Sequence, residues 1–192
     1  MSYIASTIAG YFIERSNKEE RPLSVLQLIK LVYISHGWNL ALNDAPLISD
    51  RIEAWRYGPV IPSLYNFFMG KGLKKDDLVC FSVEEVRCIK LEHLELLNKV
   101  YVKYEQIAGE QLSDIMHEKD TPWYAVWDNE RGRDKPIENE ATKAYYSKQM
   151  NQAIFDSLPN IPAITTTEKA EAFLKKAGII LENGDFNPIY IN

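Results

Sequence analysis

With 192 residues, 46% of them hydrophobic and 26% charged, the chain has apolar material for one core plus a small appendage and the balance of an ordinary globular protein. Its net charge of -5 argues against an electrostatic grip on nucleic acid, which depends on clustered Lys and Arg displacing counterions, and no helix-turn-helix or basic arm offsets it. No apolar run approaches the roughly 18 to 20 residues of a membrane span, Met1-Ser2-Tyr3-Ile4 lacks the charged start of a signal peptide, and Cys80 and Cys88 form no CxxC, so two free thiols in the cytoplasm are expected.

Taken in order, Ser2 is placed to cap a first helix in which Ile4, Ile8, Tyr11 and Phe12 recur at helical spacing, ending near Ser16-Asn17. Ser24 and Gln27 form a capping box for a second helix between Pro22 and Leu40, which from Leu28 to Ile34 is apolar save for Lys30. A helix apolar nearly all round is surrounded by other elements, and a lysine within it needs a partner. His36-Gly37-Trp38 is expected to weaken that helix near its end, before a turn at Asn43-Asp44-Ala45-Pro46.

Pro46 to Tyr65, PLISDRIEAWRYGPVIPSLY, holds the densest run of unusual residue choices. A short strand pair is expected near residues 48–57, with Ile48, Ile52 and Ala54 on one face and Arg51, Glu53 and Trp55 on the other. It runs into Tyr57-Gly58-Pro59, and Pro62 then opens a helix carrying Leu64, Tyr65 and Phe68. Gly58 can take backbone angles that side chains forbid, while Pro59 locks its own φ and pushes its predecessor out of helical conformation. A turn this rigid, flanked by Trp55 and Tyr57, either bolts two elements together or presents a fixed surface.

The helix after Pro62 stops at Gly70-Lys71-Gly72, and Lys74 to Phe81 reads as a loop or short strand. Ser82 and Glu85 make a second capping box opening a long helix with Val86, Ile89, Leu96, Leu97, Val100 and Tyr104 on one face. His93 on that face reads as a satisfied buried residue. Gly109 starts a short helix with Leu112, Ile115 and Met116, and Thr121-Pro122 caps another that carries Trp123, Val126 and Trp127 inward. A charged loop from Asp128 to Lys135 precedes a helix from Ile137 to Met150. The remainder differs in character: a stiff linker at Leu158-Pro159-Asn160-Ile161-Pro162, a helix capped by Thr165-Thr166-Thr167 and ended by Gly178, and a hairpin about Asn183-Gly184. The expected fold is therefore mainly α: one helical domain over residues 1–150, with a linker, helix and hairpin appendage over 151–192.

No catalytic motif emerges. His36, His93, His117 and the cysteines fall at no recognised metal spacing, there is no G-x-S-x-G, and the glycines near Gly70 lack the residues of a P-loop. Asp50 and Glu53, three apart on a strand, face opposite sides and read as solvated or salt-bridged. Neither a cofactor nor a metal is implied. The candidates for a role beyond packing are Trp55, Arg56, Tyr57, Pro59 and His117, as contacts to a partner, since aromatic residues concentrate in binding hot spots. The acidic balance suits a basic protein partner.

Pro46, Leu47, Asp50, Ala54, Trp55, Tyr57, Gly58, Pro59, Val60, Pro62 and Tyr65 together match the signature of the SocA-like antitoxins, the Panacea domain family that includes phage-associated GepA proteins. Three further stretches resemble that family: Leu26, Lys30, Leu31 and Tyr33; Leu112-Ser113-Asp114 leading to His117 and Pro122-Trp123; and Pro136-Ile137 with Tyr145-Tyr146. The resemblance spans roughly residues 3–148 and implies an antitoxin that binds and neutralises a cognate protein toxin, directly or as an adaptor for a protease. It brings no catalytic residue. The readings from other classes are a phage-derived scaffold that binds a host protein and an undetected hydrolase.

Overall fold

A computed structural model describes residues 2–80, 89–127 and 134–157, with the backbone alone for 151–157. The expected cap at Ser82, Val86, Cys88, most of the charged loop after Trp127, and the linker, helix and hairpin after Ser157 lie outside the described residues. Two units, Met1–Asn151 and Gln152–Asn192, divide the chain.

Among the described residues the fold is mainly helical, with one two-stranded antiparallel sheet. The helices are α1 (Ala5–Lys18), α2 (Val25–Asn43), α3 (Pro62–Gly70), α4 (Leu91–Tyr104), α5 (Gly109–His117), α6 (Pro122–Val126) and α7 (Asn139–Ser157). Strands β1 (Glu53–Trp55) and β2 (Gly58–Val60) pair Glu53 with Val60 and Trp55 with Gly58, so β1 runs into the turn and the strand pair extends to Val60, beyond the expected residues 48–57.

Helix α2 is the central strut. Its capping box closes as expected, Gln27 N–H donating to Ser24 Oγ at 3.2 Å and Ser24 N–H to Gln27 Oε1 at 3.0 Å. Every residue from Leu28 to Gly37 is buried, because α1, α3, α4, α5 and β2 all pack on it. Gly37 does not weaken the helix, which runs on to Asn43. The Tyr146 ring of α7 lies against the Gly37 backbone, where any larger side chain would overlap it. The glycine is there for close approach, and the tyrosine fills the space.

Local pattern misplaces several boundaries, among them those of α7, which runs over Asn139–Ser157 instead of Ile137 to Met150. Ser2 does not cap α1; Ala5 N–H donates instead to Asp50 Oδ2 at 2.7 Å, a carboxylate brought in from the loop before β1. That loop reaches α1 because Tyr3 N–H donates to Leu47 O and Ser49 N–H to Tyr3 O, both at 2.8 Å. A charge at a helix N-terminus also meets the positive end of the helix dipole. Ile89 and Lys90 precede α4 rather than lying within it. His93 is buried as expected, with the Tyr3 hydroxyl 2.9 Å from its Nδ1.

Replacing Gly37 with Ala should lower stability by about 1 to 3 kcal/mol, the cost of overpacking outweighing the helix-propensity gain. Adding Tyr146→Leu should recover part of that loss, a coupling readable in a double-mutant cycle by denaturant unfolding. Additive effects would mean that the ring does not constrain this position.

Candidate functional site

The two short strands around Tyr57-Gly58-Pro59 leave carbonyls without a ladder, and buried ones need donors. Distant segments supply them. Lys30 of α2, fully buried, donates its ammonium to Tyr57 O and, at 3.0 Å, to Pro59 O. The Ser113 hydroxyl of α5 lies 3.0 Å from Tyr57 O and 3.1 Å from Gly109 O. Trp123 of α6 donates its indole N–H to Trp55 O at 2.8 Å. On the outer edge of β1, Ile137 N–H donates to Ile52 O at 2.9 Å, Asp134 N–H to Ala54 O at 3.0 Å, and Lys135 O accepts from Ala54 N–H at 2.9 Å.

Gly58 has φ +92, and a Cβ there would stand 2.8 Å from Lys30 Nζ. The position excludes other residues twice, by backbone angle and by the lysine beneath it. Burial pushes the Lys30 amine down to about 7. Protonated or neutral, it has enough N–H groups for both carbonyls.

Held from below, the turn directs its side chains outward. Tyr57 is 47% exposed, and Arg56 is exposed with its guanidinium 6.0 Å from the Tyr57 ring centroid. Trp55 is half-buried, edge-on to Tyr65 of α3 at 5.1 Å, its indole N–H donating to Glu53 at 2.8 Å. Glu53 is itself buried and salt-bridged to Arg51, while Asp50 is held by the α1 N-terminus and Ser63, so the two carboxylates serve separate structural contacts.

Beside these residues runs a groove of about 460 Å³. Buried Leu26, Ile29 and Val60 line it, with Trp55, Tyr57, Tyr65, Met69 and Trp127, and Arg56, Lys74 and Lys75 supply its positive charge. Lys74 and Lys75 arrive there because their loop is tied to the start of α2: Leu26 N–H donates to Lys75 O at 2.8 Å and Val25 N–H to Asp77 O at 3.1 Å. The Lys75 ammonium sits 5.0 Å from the Tyr57 ring centroid.

The five residues singled out in the sequence therefore divide. Trp55, Arg56 and Tyr57 line the groove; Pro59 is buried beneath the turn, its carbonyl on Lys30. His117 is not among the lining residues: its ring lies 4.0 Å from that of Trp123, which stacks in turn on Trp127 at 5.2 Å. Burial foremost, then the charge of Lys30, lowers its pKa. Sequence reasoning did not connect Met69, Lys74, Lys75 and Trp127 with this place, since no local pattern marks them as neighbours. No group of His, Cys, Asp and Glu able to hold a metal ion occurs among the described residues, and no described helix is long and apolar enough to cross a membrane.

Comparison with known proteins bears on the same region. The family model described as "Antitoxin SocA-like, Panacea domain" matches residues 28–124, from α2 to α6. The chain is 28% identical over 130 residues to Antitoxin SocA of Caulobacter vibrioides (strain NA1000 / CB15N), covering 64% of this chain and 69% of that one. No solved structure matches it.

Lys30→Met should cost about 1 to 3 kcal/mol, because it leaves the buried Pro59 carbonyl without a donor and Tyr57 O with the Ser113 hydroxyl alone. A lysine pKa depressed on folding contributes stability that is present in full above 10.5 and lost as pH falls toward about 7. The stability gap between the parent and Lys30→Met should accordingly widen from pH 7 to pH 10.5, measured by urea unfolding. A gap that stays flat would place the folded pKa at its ordinary value.

Proposed function

The chain belongs to the SocA-like antitoxin family of the Panacea domain, and from that premise we propose that it binds and neutralises a cognate protein toxin through the face formed by Trp55, Arg56 and Tyr57. What supports this choice of face is the placement of Tyr57: an aromatic residue left 47% exposed at the tip of a turn whose backbone is held by Lys30, Ser113 and Trp123. An exposed ring on a rigid support has little conformational entropy to lose on binding, the property that concentrates aromatic residues in hot spots. The adjoining groove gives such a contact depth.

Neutralisation takes one of two forms on this reading. A complex that covers the toxin's working surface blocks it sterically; one that presents the toxin to a protease removes it. The two are told apart by the toxin's half-life in cells, unchanged in the first case and shortened in the second.

Cells expressing the cognate toxin should be rescued by the parent protein. Tyr57→Ala and Arg56→Glu should weaken the complex by roughly 2 kcal/mol each while leaving the thermal midpoint near that of the parent, since both side chains are exposed. Rescue and affinity equal to the parent in both variants would move the interface elsewhere on the molecule. Absence of any toxin complex with the parent would end the antitoxin reading for this chain.

A further inference from the structure

Resting on that toxin-binding reading, we propose that the groove beside Tyr57 receives a short acidic segment of the protein partner, seating one aromatic or large aliphatic side chain between carboxylates. Charge selects this occupant. In a chain with 27 acidic and 22 basic residues, the described residues lining the groove include Arg56, Lys74 and Lys75 and no Asp or Glu. Arg56 and Lys74 form no ion pair with a described residue, and the Lys75 ammonium, beside the Tyr57 ring, lies 2.8 Å from Asp76 and 3.6 Å from Glu110 in exposed pairs that an incoming carboxylate can replace at little cost.

The volume sets the size of what enters. About 460 Å³ holds a large side chain and its neighbours, not a globular face. Leu26 and Ile29 belong to the capped start of α2 and Val60 to the strand held by Lys30, so the apolar side is formed before anything binds. The net charge of -5 repels a partner that is acidic throughout, so the recognised feature is a local acidic segment. This reverses, for the groove, the preference for a basic partner that the overall charge suggests.

Selection of a randomised short-peptide library on the full chain tests the assignment. Enrichment of peptides with Asp or Glu flanking an aromatic or large aliphatic residue is expected, with affinity falling about tenfold or more on the Arg56→Glu/Lys74→Glu double variant and with added salt. Enrichment of basic or uncharged peptides, no departure from the unselected library, or acidic peptides that bind the double variant as tightly as the parent would each overturn it. Competition separates the two readings. If the toxin complex forms and a selected acidic peptide does not displace it, the groove is not the docking site and the present proposal fails while the antitoxin reading stands; if the peptides select and compete as expected with one another but no toxin complex forms, the antitoxin reading fails and the groove keeps its peptide chemistry.

Discussion

Taking an ammonium group out of water is costly unless its protons meet acceptors, and the acceptors available to Lys30 are the carbonyls of Tyr57 and Pro59. The dependence is mutual. Those carbonyls lie in a two-stranded hairpin too short to satisfy its own backbone, and without the lysine Pro59 O would be buried and unpaired while Tyr57 O would keep only the Ser113 hydroxyl. Central helix and signature turn are thereby locked in one relative position, with glycine required at position 58 because a side chain would strike the lysine.

From this lock the arrangement of the other signature residues follows. Ser113 and Trp123 bring α5 and α6 against the same backbone through Tyr57 O and Trp55 O, and the segment before α7 adds hydrogen bonds to the free edge of β1. Tyr146 then closes α7 onto the bare backbone at Gly37. Stretches scattered along the chain share no chemistry of their own. Four of them meet at one hairpin, to which Lys30, Ser113, Trp123 and the segment before α7 each hydrogen-bond, while Tyr146 packs on α2.

A structural role beneath the turn and a binding role above it are compatible, because the two faces use different atoms. Backbone carbonyls and Pro59 point to the interior, where Lys30, Ser113 and Trp123 meet them. The side chains of Arg56 and Tyr57 stand outside, beside an apolar groove edged with lysine. Family membership supplies the biological setting, and the geometry supplies a surface suited to it.

Much of the fold was legible from spacing and punctuation. The Ser24–Gln27 capping box, the all-round apolarity of α2, Pro62 and Pro122 at helix starts, and the need of Lys30 for a partner are relations between residues a few positions apart or properties of a single residue type. What only the tertiary structure decided involves partners far along the chain: the cap of α1 comes from Asp50, 45 residues away; Lys30 meets a turn 27 residues on; Trp123 reaches back 68 residues to Trp55. The same holds for the groove, which joins the start of α2, the hairpin, α3 and the Lys74–Lys75 loop, and which leaves out His117. A sequence records which groups need satisfying because burial and periodicity are local, whereas the identity of the group that satisfies each one depends on how the helices pack.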